Sequence, residues 1–231
     1  MSDIPKDIVK HAYDNISEWY LDWVKSQKSP RDQYTRKLLD NLPPSPYILE
    51  LGCGPGVPTL RFLLDQGAQV VANDISGKQT DMAKARCPEA TIITGDMMTT
   101  LSFDPESFHG VTSFYTLFHL PRSELKAILT KIHTWLKPGG AFAFNLATID
   151  EEEIHGELLG YGMFWSSYST EENQELLRDV GFHFLQVEVL RAGDGNLTEG
   201  DPDYDAEFLW VMARKGGAEQ NSSVDASDLQ H

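Results

Sequence analysis

The apolar residues of the first 27 positions recur at helical spacing. Ile8, Ala12, Ile16, Trp19, Tyr20 and Trp23 predict one amphipathic helix over 5–27, with Pro5 in its first turn after Asp3. Residues 31–41 predict a second, shorter helix that ends before the Pro43-Pro44 breaker. Two helices therefore precede any strand.

Beyond residue 46 the pattern changes. Short apolar runs predict strands over 47–51, 68–73, 90–94, 110–115 and 140–146. Helical segments fall over 59–66, 77–86 and 123–136, the last with Leu125, Ile128, Leu129 and Ile132 on one face. A helix over 171–180 follows, and two long strands, 183–190 and 206–213, close the pattern. Alternating strands and helices predict an α/β fold: seven strands, mostly parallel, with helices on both faces. The segment 191–205 is rich in Gly and Asp and suits a turn, so the last strand is expected antiparallel to its neighbour. The chain divides into an N-terminal helical cap over 1–42 and one core domain over 43–215. An insertion over 147–169 lies between the fifth strand and the next helix. Residues 216–231 carry almost no large apolar side chains and read as a disordered tail.

Composition narrows the function. The chain has 231 residues and a formal net charge of -16, with 35 acids against 19 bases. That field repels phosphate backbones and anionic membranes, so neither nucleic acid nor a membrane is expected as a partner. Two cysteines, Cys53 and Cys87, cannot build a disulfide framework or a cysteine-rich metal site, and no His/Cys cluster has ligand spacing. No apolar run approaches a membrane span, and the acidic start has no apolar leader core, so a cytoplasmic location is expected.

The chemistry concentrates after the first strand. In Ile48-Leu-Glu-Leu-Gly52-Cys53-Gly54-Pro55-Gly56-Val57-Pro58-Thr59 three glycines leave a strand and enter a helix, so a ligand can lie against bare backbone. Val57 stands where a dinucleotide fingerprint needs its third glycine, which disfavours a nicotinamide enzyme, and the Walker Lys-Ser/Thr pair is absent. Asp74 ends the second strand, 22 residues after Gly52, near the spacing at which an acid reaches ribose hydroxyls. Asp96 follows the third strand and could accept from an exocyclic amine, with Ile75 and Met97 packing on a flat base.

Together these pieces resemble the class I S-adenosylmethionine-dependent methyltransferases, of the small-molecule type with an N-terminal helical cap. The matched residues are Glu50-x-Gly52-x-Gly54-x-Gly56, Asp74, Gly95-Asp96, Phe118-His119-Leu120-Pro121-Arg122 and Leu136-Lys137-Pro138-Gly139-Gly140. They span about residues 47–146. The resemblance implies a Rossmann-like seven-stranded sheet with its last strand antiparallel. It implies S-adenosylmethionine as cofactor and S-adenosylhomocysteine as product. It places Gly52, Gly54 and Gly56 along the methionine part, Asp74 on the ribose, and Ile75, Asp96 and Met97 around the adenine. Phe114 and Tyr115 would pass under the sulfonium. Tyr20 and Arg31 are the candidates for the cofactor's carboxylate, with Arg36 as a competitor. No Asp/Asn-Pro-Pro-Tyr stretch follows strand four, which argues against enzymes that methylate DNA bases or glutamine amides.

A sulfonium already activates its methyl group, so the protein's main task is alignment, and a base is needed only where the acceptor must first lose a proton. His119, just past strand four, and Tyr13, in the cap, are the candidate catalytic groups; each has an alternative structural reading. His155 sits beside Glu151, Glu152 and Glu153 and reads as a solvated face. Cys53 fits the loop as a small residue and is no nucleophile. A small-molecule substrate would lie between cap and insertion, against Trp19, Trp23, Met163, Phe164, Trp165 and Tyr168. These aromatics suit a flat, apolar or cationic guest. Residues 194–207 carry six acids and no base, a solvated hairpin or a steering field. A rival reading is a protein that binds the same cofactor without methylating, as a regulator or a catalyst of rearrangement. The acceptor atom and the choice between monomer and homodimer stay open.

Overall fold

The computed structural model of the chain describes residues 4–192, 197, 199 and 201–216. The chain opens with two helices, α1 (Pro5–Ser26) and α2 (Arg31–Asp40). The core then runs β1 (Tyr47–Leu51), α3 (Thr59–Asp65), β2 (Gln69–Asp74), α4 (Gly77–Arg86), β3 (Thr91–Thr94), β4 (Phe108–Ser113), α5 (Arg122–Trp135) and β5 (Leu136–Ala147). It closes with a hairpin, β6 (Glu151–Leu158) and β7 (Tyr161–Ser167), then α6 (Thr170–Val180), β8 (Phe182–Arg191) and β9 (Glu207–Lys215).

Seven strands form one sheet in the order β3-β2-β1-β4-β5-β9-β8. β9 is antiparallel to both of its neighbours, and the β1 to β5 pairings are parallel. Both faces are buried, so successive residues of one strand feed different cores. Ile48, Ala141 and Ala143 pack with Tyr34, Leu38, Leu60 and Leu63 of α2 and α3. Leu49, Leu51, Phe142 and Phe144 pack with Leu125, Ile128, Leu129 and Ile132 of α5. The strand order reverses between β1 and β4, and the carboxyl ends of these strands open there, where an α/β sheet places its ligand.

The cap departs from the sequence pattern. The stripe that α1 buries is Val9, Ala12, Ile16, Leu21 and Val24, whereas Trp19 is 36% exposed. The helix docks through Val9 and Ala12 onto Met163 and Phe164 of β7, not through an aromatic face onto the sheet. The insertion is that two-stranded sheet. Pattern reading finds no strand in β6 because Glu151-Glu-Glu-Ile-His-Gly-Glu-Leu158 has no buried residue and no alternation. Its turn residues, Leu159 and Gly160, both have positive φ, the geometry of a two-residue hairpin turn. The expected tail from 217 onward, and 194–196, 198 and 200 of the acidic stretch, lie outside the described residues. Among the described residues no helix is long and apolar enough to cross a membrane.

Candidate active site

The glycine loop turns from β1 into α3 at the switch in strand order. Gly52 has φ +72°, and a Cβ there would stand 2.0 Å from Oγ1 of Thr116, so no other residue fits. The amides of Gly52 and Cys53 both donate to the Asn73 carbonyl, which holds the loop against the end of β2. Asp74 completes the brace. Its Oδ2 accepts from Gly54 N and its Oδ1 from Ser76 N, each at 2.9 Å. Burial pushes this carboxyl up to about 6, against the pull of those amides. Each oxygen keeps a further lone pair for a donor in the cavity that Gly52, Gly54, Asp74, Ile75, Asp96 and Met97 line. Gly56, grouped with the ligand-facing glycines in the motif, instead faces α4, where a Cβ would meet Ala83 and Cys87. Burial holds the Cys53 thiol well above its ordinary value, in keeping with a packing role.

The far end of this cavity carries two features that the motif did not reveal. Lys6 of α1 bridges Asp96, after β3, at 2.7 Å and Glu124, in the first turn of α5, at 3.0 Å. Gln79, in the first turn of α4, lines the cavity at 1% exposure, and neither atom of its side-chain amide has a hydrogen-bond partner. A buried amide without partners is destabilising, so Gln79 offers a donor and an acceptor to whatever fills the cavity. Oδ1 of Asn73 is likewise unpartnered and lines the same space. The available signal was a polar residue on the inner face of α4, one turn beyond Asp74. Asp14 of α1 also escaped the sequence reading; it accepts from Ser76 Oγ at 2.6 Å and Lys78 N at 3.1 Å, pinning the cap to α4.

Phe114 and Tyr115 lie just past the end of β4 and line the cavity. Tyr115 has φ +55°, an unfavourable conformation for a side-chain-bearing residue, held by donation of its amide to Oδ1 of Asn145 at 2.7 Å. Its hydroxyl shares a hydrogen bond with Ser29. The Arg31 guanidinium stacks over the Tyr115 ring at 4.7 Å, one layer behind the cavity wall rather than in it. Arg31 is the opposing charge beside the buried Glu50 carboxyl, which burial holds well above its usual range. Arg36 lies over Phe62, on another face. Tyr20 lies against the glycine loop, 3.5 Å from where a Gly54 Cβ would be.

His119 and Tyr13 meet here. Nδ1 of His119 is 2.8 Å from the Phe164 carbonyl, and its Nε2 is 3.2 Å from the Tyr13 hydroxyl. Burial lowers the imidazole pKa to about 4 and raises that of the Tyr13 phenol. His155 is exposed, 3.3 Å from Glu153.

A second cavity, of about 650 Å³, lies between cap, hairpin and the 202–208 segment. Trp19, Tyr20, Trp23, Met163 and Trp165 line it. Phe164 and Tyr168, expected there, do not: Phe164 packs with Val9, Ala12 and Met163 in the cap contact, and Tyr168 lies under the Arg122 guanidinium at 4.8 Å. Tyr13, Tyr20, Tyr115 and His119 line both cavities, so these four side chains form the boundary between them.

Residues 48–140 match the family model of a methyltransferase domain. Over 107 residues, 46% of this chain, the sequence is 37% identical to an uncharacterized methyltransferase of Synechocystis sp. and covers 50% of it. The chain spans about half the length of the curated relatives it matches. Its fold is similar to that of the Burkholderia thailandensis 1,6-didemethyltoxoflavin-N1-methyltransferase, with a TM-score of 0.69 at 18% identity over 91% of this chain and 88% of that one. It is also similar to the [4+2]-cyclase SpnF, with a TM-score of 0.67 at 17% identity over 90% and 95% of the two chains. The glycine loop at the switch point, the braced Asp74 and the antiparallel last strand agree with these matches. Residues 48–140 thus match a methyltransferase domain, and the fold of the chain is similar to that of S-adenosylmethionine-dependent methyltransferases.

Proposed function

We propose that this protein transfers the methyl group of S-adenosylmethionine to a small organic molecule. One observation carries the reading: a glycine-loop cavity and a separate aromatic cavity meet at Tyr13, Tyr20, Tyr115 and His119. Donor and acceptor could face each other across that boundary.

The residues present fit the cofactor. Gly52 and Gly54 leave bare backbone for the methionine part, and Tyr20 closes over it. Asp74 keeps lone pairs for ribose hydroxyls. The unpartnered amide of Gln79 and Oδ1 of Asn73 offer further donors and acceptors for the nucleoside. Ile75 and Met97 flank the site of the base, with Asp96 at its edge. When bound, the cofactor supplies a methyl group already activated on a sulfonium. The chain's own residues do the rest by position. Phe114 and the strained Tyr115 floor the site, and Tyr13, held by His119, walls it. Such alignment is worth on the order of 7–11 kcal/mol of barrier. His119 acts as the fixture for Tyr13 rather than as a base, because its only lone pair is engaged. An acceptor that carries a free lone pair suits this arrangement.

A second reading has one observation in its favour: the fold is shared with a protein named as a [4+2]-cyclase. The test must therefore read methyl transfer itself. Purified protein is incubated with methyl-labelled S-adenosylmethionine and candidate acceptors, and labelled product and S-adenosylhomocysteine are measured together. Stoichiometric formation of both is expected. Cofactor binding without transfer, alongside conversion of an acceptor to an isomer, would favour the second reading.

A further inference from the structure

The aromatic cavity has a charge preference as well as a shape. The aromatic side chains of Trp19, Trp23, Trp165, Phe118 and Phe208 line its walls. Trp19 and Trp23 stack on one another at 5.7 Å with 13° between their planes. The charged residues that line it are Glu157, Asp203, Asp205, Glu207 and Arg191, four acids against one base. Arg191 is already 3.3 Å from Glu207. Among the described residues Glu157, Asp203 and Asp205 form no ion pair, and of the three only Asp203 feels a cation, Arg31, at longer range. Glu157, Asp205 and Glu207 are exposed at the rim, whereas Asp203 is partly buried and electrostatically coupled to Tyr13, Tyr20 and Tyr115 of the shared boundary.

Arg31 is the cation that bears on Asp203, but it stacks on Tyr115, donates to Ser29 and stands outside the cavity wall. A positively charged guest would therefore meet Asp203 in a wall whose one cation, Arg191, is already paired with Glu207. Ring faces and carboxylates act in the same direction, since a π face attracts cations as an acid does. An anionic guest meets repulsion from both.

We infer that the aromatic cavity takes a planar apolar molecule bearing a protonated amine, with the amine directed to Asp203, and excludes carboxylated or phosphorylated counterparts. That this guest is the methyl acceptor rests on the proposed reaction, and the atom methylated is then another of its atoms with a free lone pair, not the protonated amine; its binding chemistry rests on the cavity.

Calorimetry on the full chain with three ligands of one ring shape tests this: 1-naphthylmethylamine, 1-naphthalenemethanol and 1-naphthoate, each with and without S-adenosylhomocysteine. The amine is expected to bind about tenfold more tightly than the alcohol, and the acid about tenfold more weakly. Asp203→Asn should bring the amine down to the alcohol's affinity and leave the alcohol unchanged, with the melting temperature as a control for folding. If that variant unfolds, raised salt on the wild type serves instead and should weaken the amine alone. Equal affinities, tighter binding of the acid, no binding by any of the three, or an amine preference that survives Asp203→Asn would each overturn the inference. Loss of S-adenosylhomocysteine binding with the amine preference intact would overturn the methyl-transfer reading alone.

Discussion

The Tyr13 hydroxyl donates to Nε2 of His119 at 3.2 Å because the other ring nitrogen, Nδ1, donates to the Phe164 carbonyl at 2.8 Å. A carbonyl only accepts, so the neutral ring is the Nδ1–H tautomer and Tyr13 occupies its lone pair. With its pKa lowered by burial to about 4, the ring is neutral around pH 7. The pH–rate profile should therefore show no limb near about 6.5, and His119→Asn should keep the wild-type profile shape. A limb there that disappears in the variant would restore His119 as a base.

The same displacement affects stability. Folded His119 takes up its proton near pH 4, whereas the unfolded side chain does so at about 6.5. The unfolded chain holds more protons between those values, so this histidine lowers stability as pH falls through the window, by roughly 3 kcal/mol at the limit. Asp74 and Asp203, both raised to about 6, act with the opposite sign and add stability as pH falls from there towards the ordinary carboxylate range. The difference between wild type and His119→Asn isolates the histidine. Thermal melts should show the wild-type advantage at about pH 7 shrinking towards about pH 4.5, and a constant gap would rule the displacement out.

Asp74 should make cofactor affinity depend on pH. With a folded pKa of about 6, the carboxylate is largely protonated at pH 5 and largely ionised at pH 7. A charged acceptor binds ribose hydroxyls better, so S-adenosylhomocysteine affinity should rise roughly tenfold over that interval. Asp74→Asn should bind more weakly by about 1.5–3 kcal/mol per lost charge-assisted bond, and its affinity should be flat with pH. Calorimetry at several pH values reads both.

Gln79 should trade stability for binding. Replacing its unpartnered amide by the similar volume of methionine removes a buried desolvation penalty of about 1–3 kcal/mol. Gln79→Met should therefore melt higher than wild type when ligand-free and bind S-adenosylhomocysteine more weakly. A variant that gains stability and keeps full affinity would show that the amide meets no ligand.

The cap should respond to ligand through Lys6. Its bridges to Asp96 and Glu124 tie the first turn of α1 to the loop after β3 and to the start of α5. Hydrogen exchange over residues 5–25 should slow when S-adenosylhomocysteine is added, and Lys6→Ala should speed exchange there in the free protein. The partly buried pair is worth about 1 kcal/mol, or roughly fivefold in the opening equilibrium. Unchanged exchange in both experiments would mean a cap held by Val9, Ala12 and Asp14 alone.

What the sequence by itself determined is the part that depends on local pattern. The glycines at 52, 54 and 56, Asp74 at the end of a strand and the alternation of apolar runs specify an α/β sheet and its ligand end, because turn geometry and strand burial leave their marks in neighbouring residues. Tertiary structure decided the rest. Whether Gly56 faces ligand or helix depends on where α4 packs, and whether Trp19 is core or surface depends on which stripe of α1 the hairpin takes. β6 exists because β7 pairs with it, although its own residues are acidic and exposed. Gln79, Asn73, Lys6 and Asp14 carry no motif; each gains its meaning from a partner, or the lack of one, contributed by another element. His119 stands beside the right strand in the sequence, yet its protonation is set by the Phe164 carbonyl 45 residues away and by burial under the cap. Contacts between distant elements, and the desolvation they impose, are quantities that no local pattern encodes.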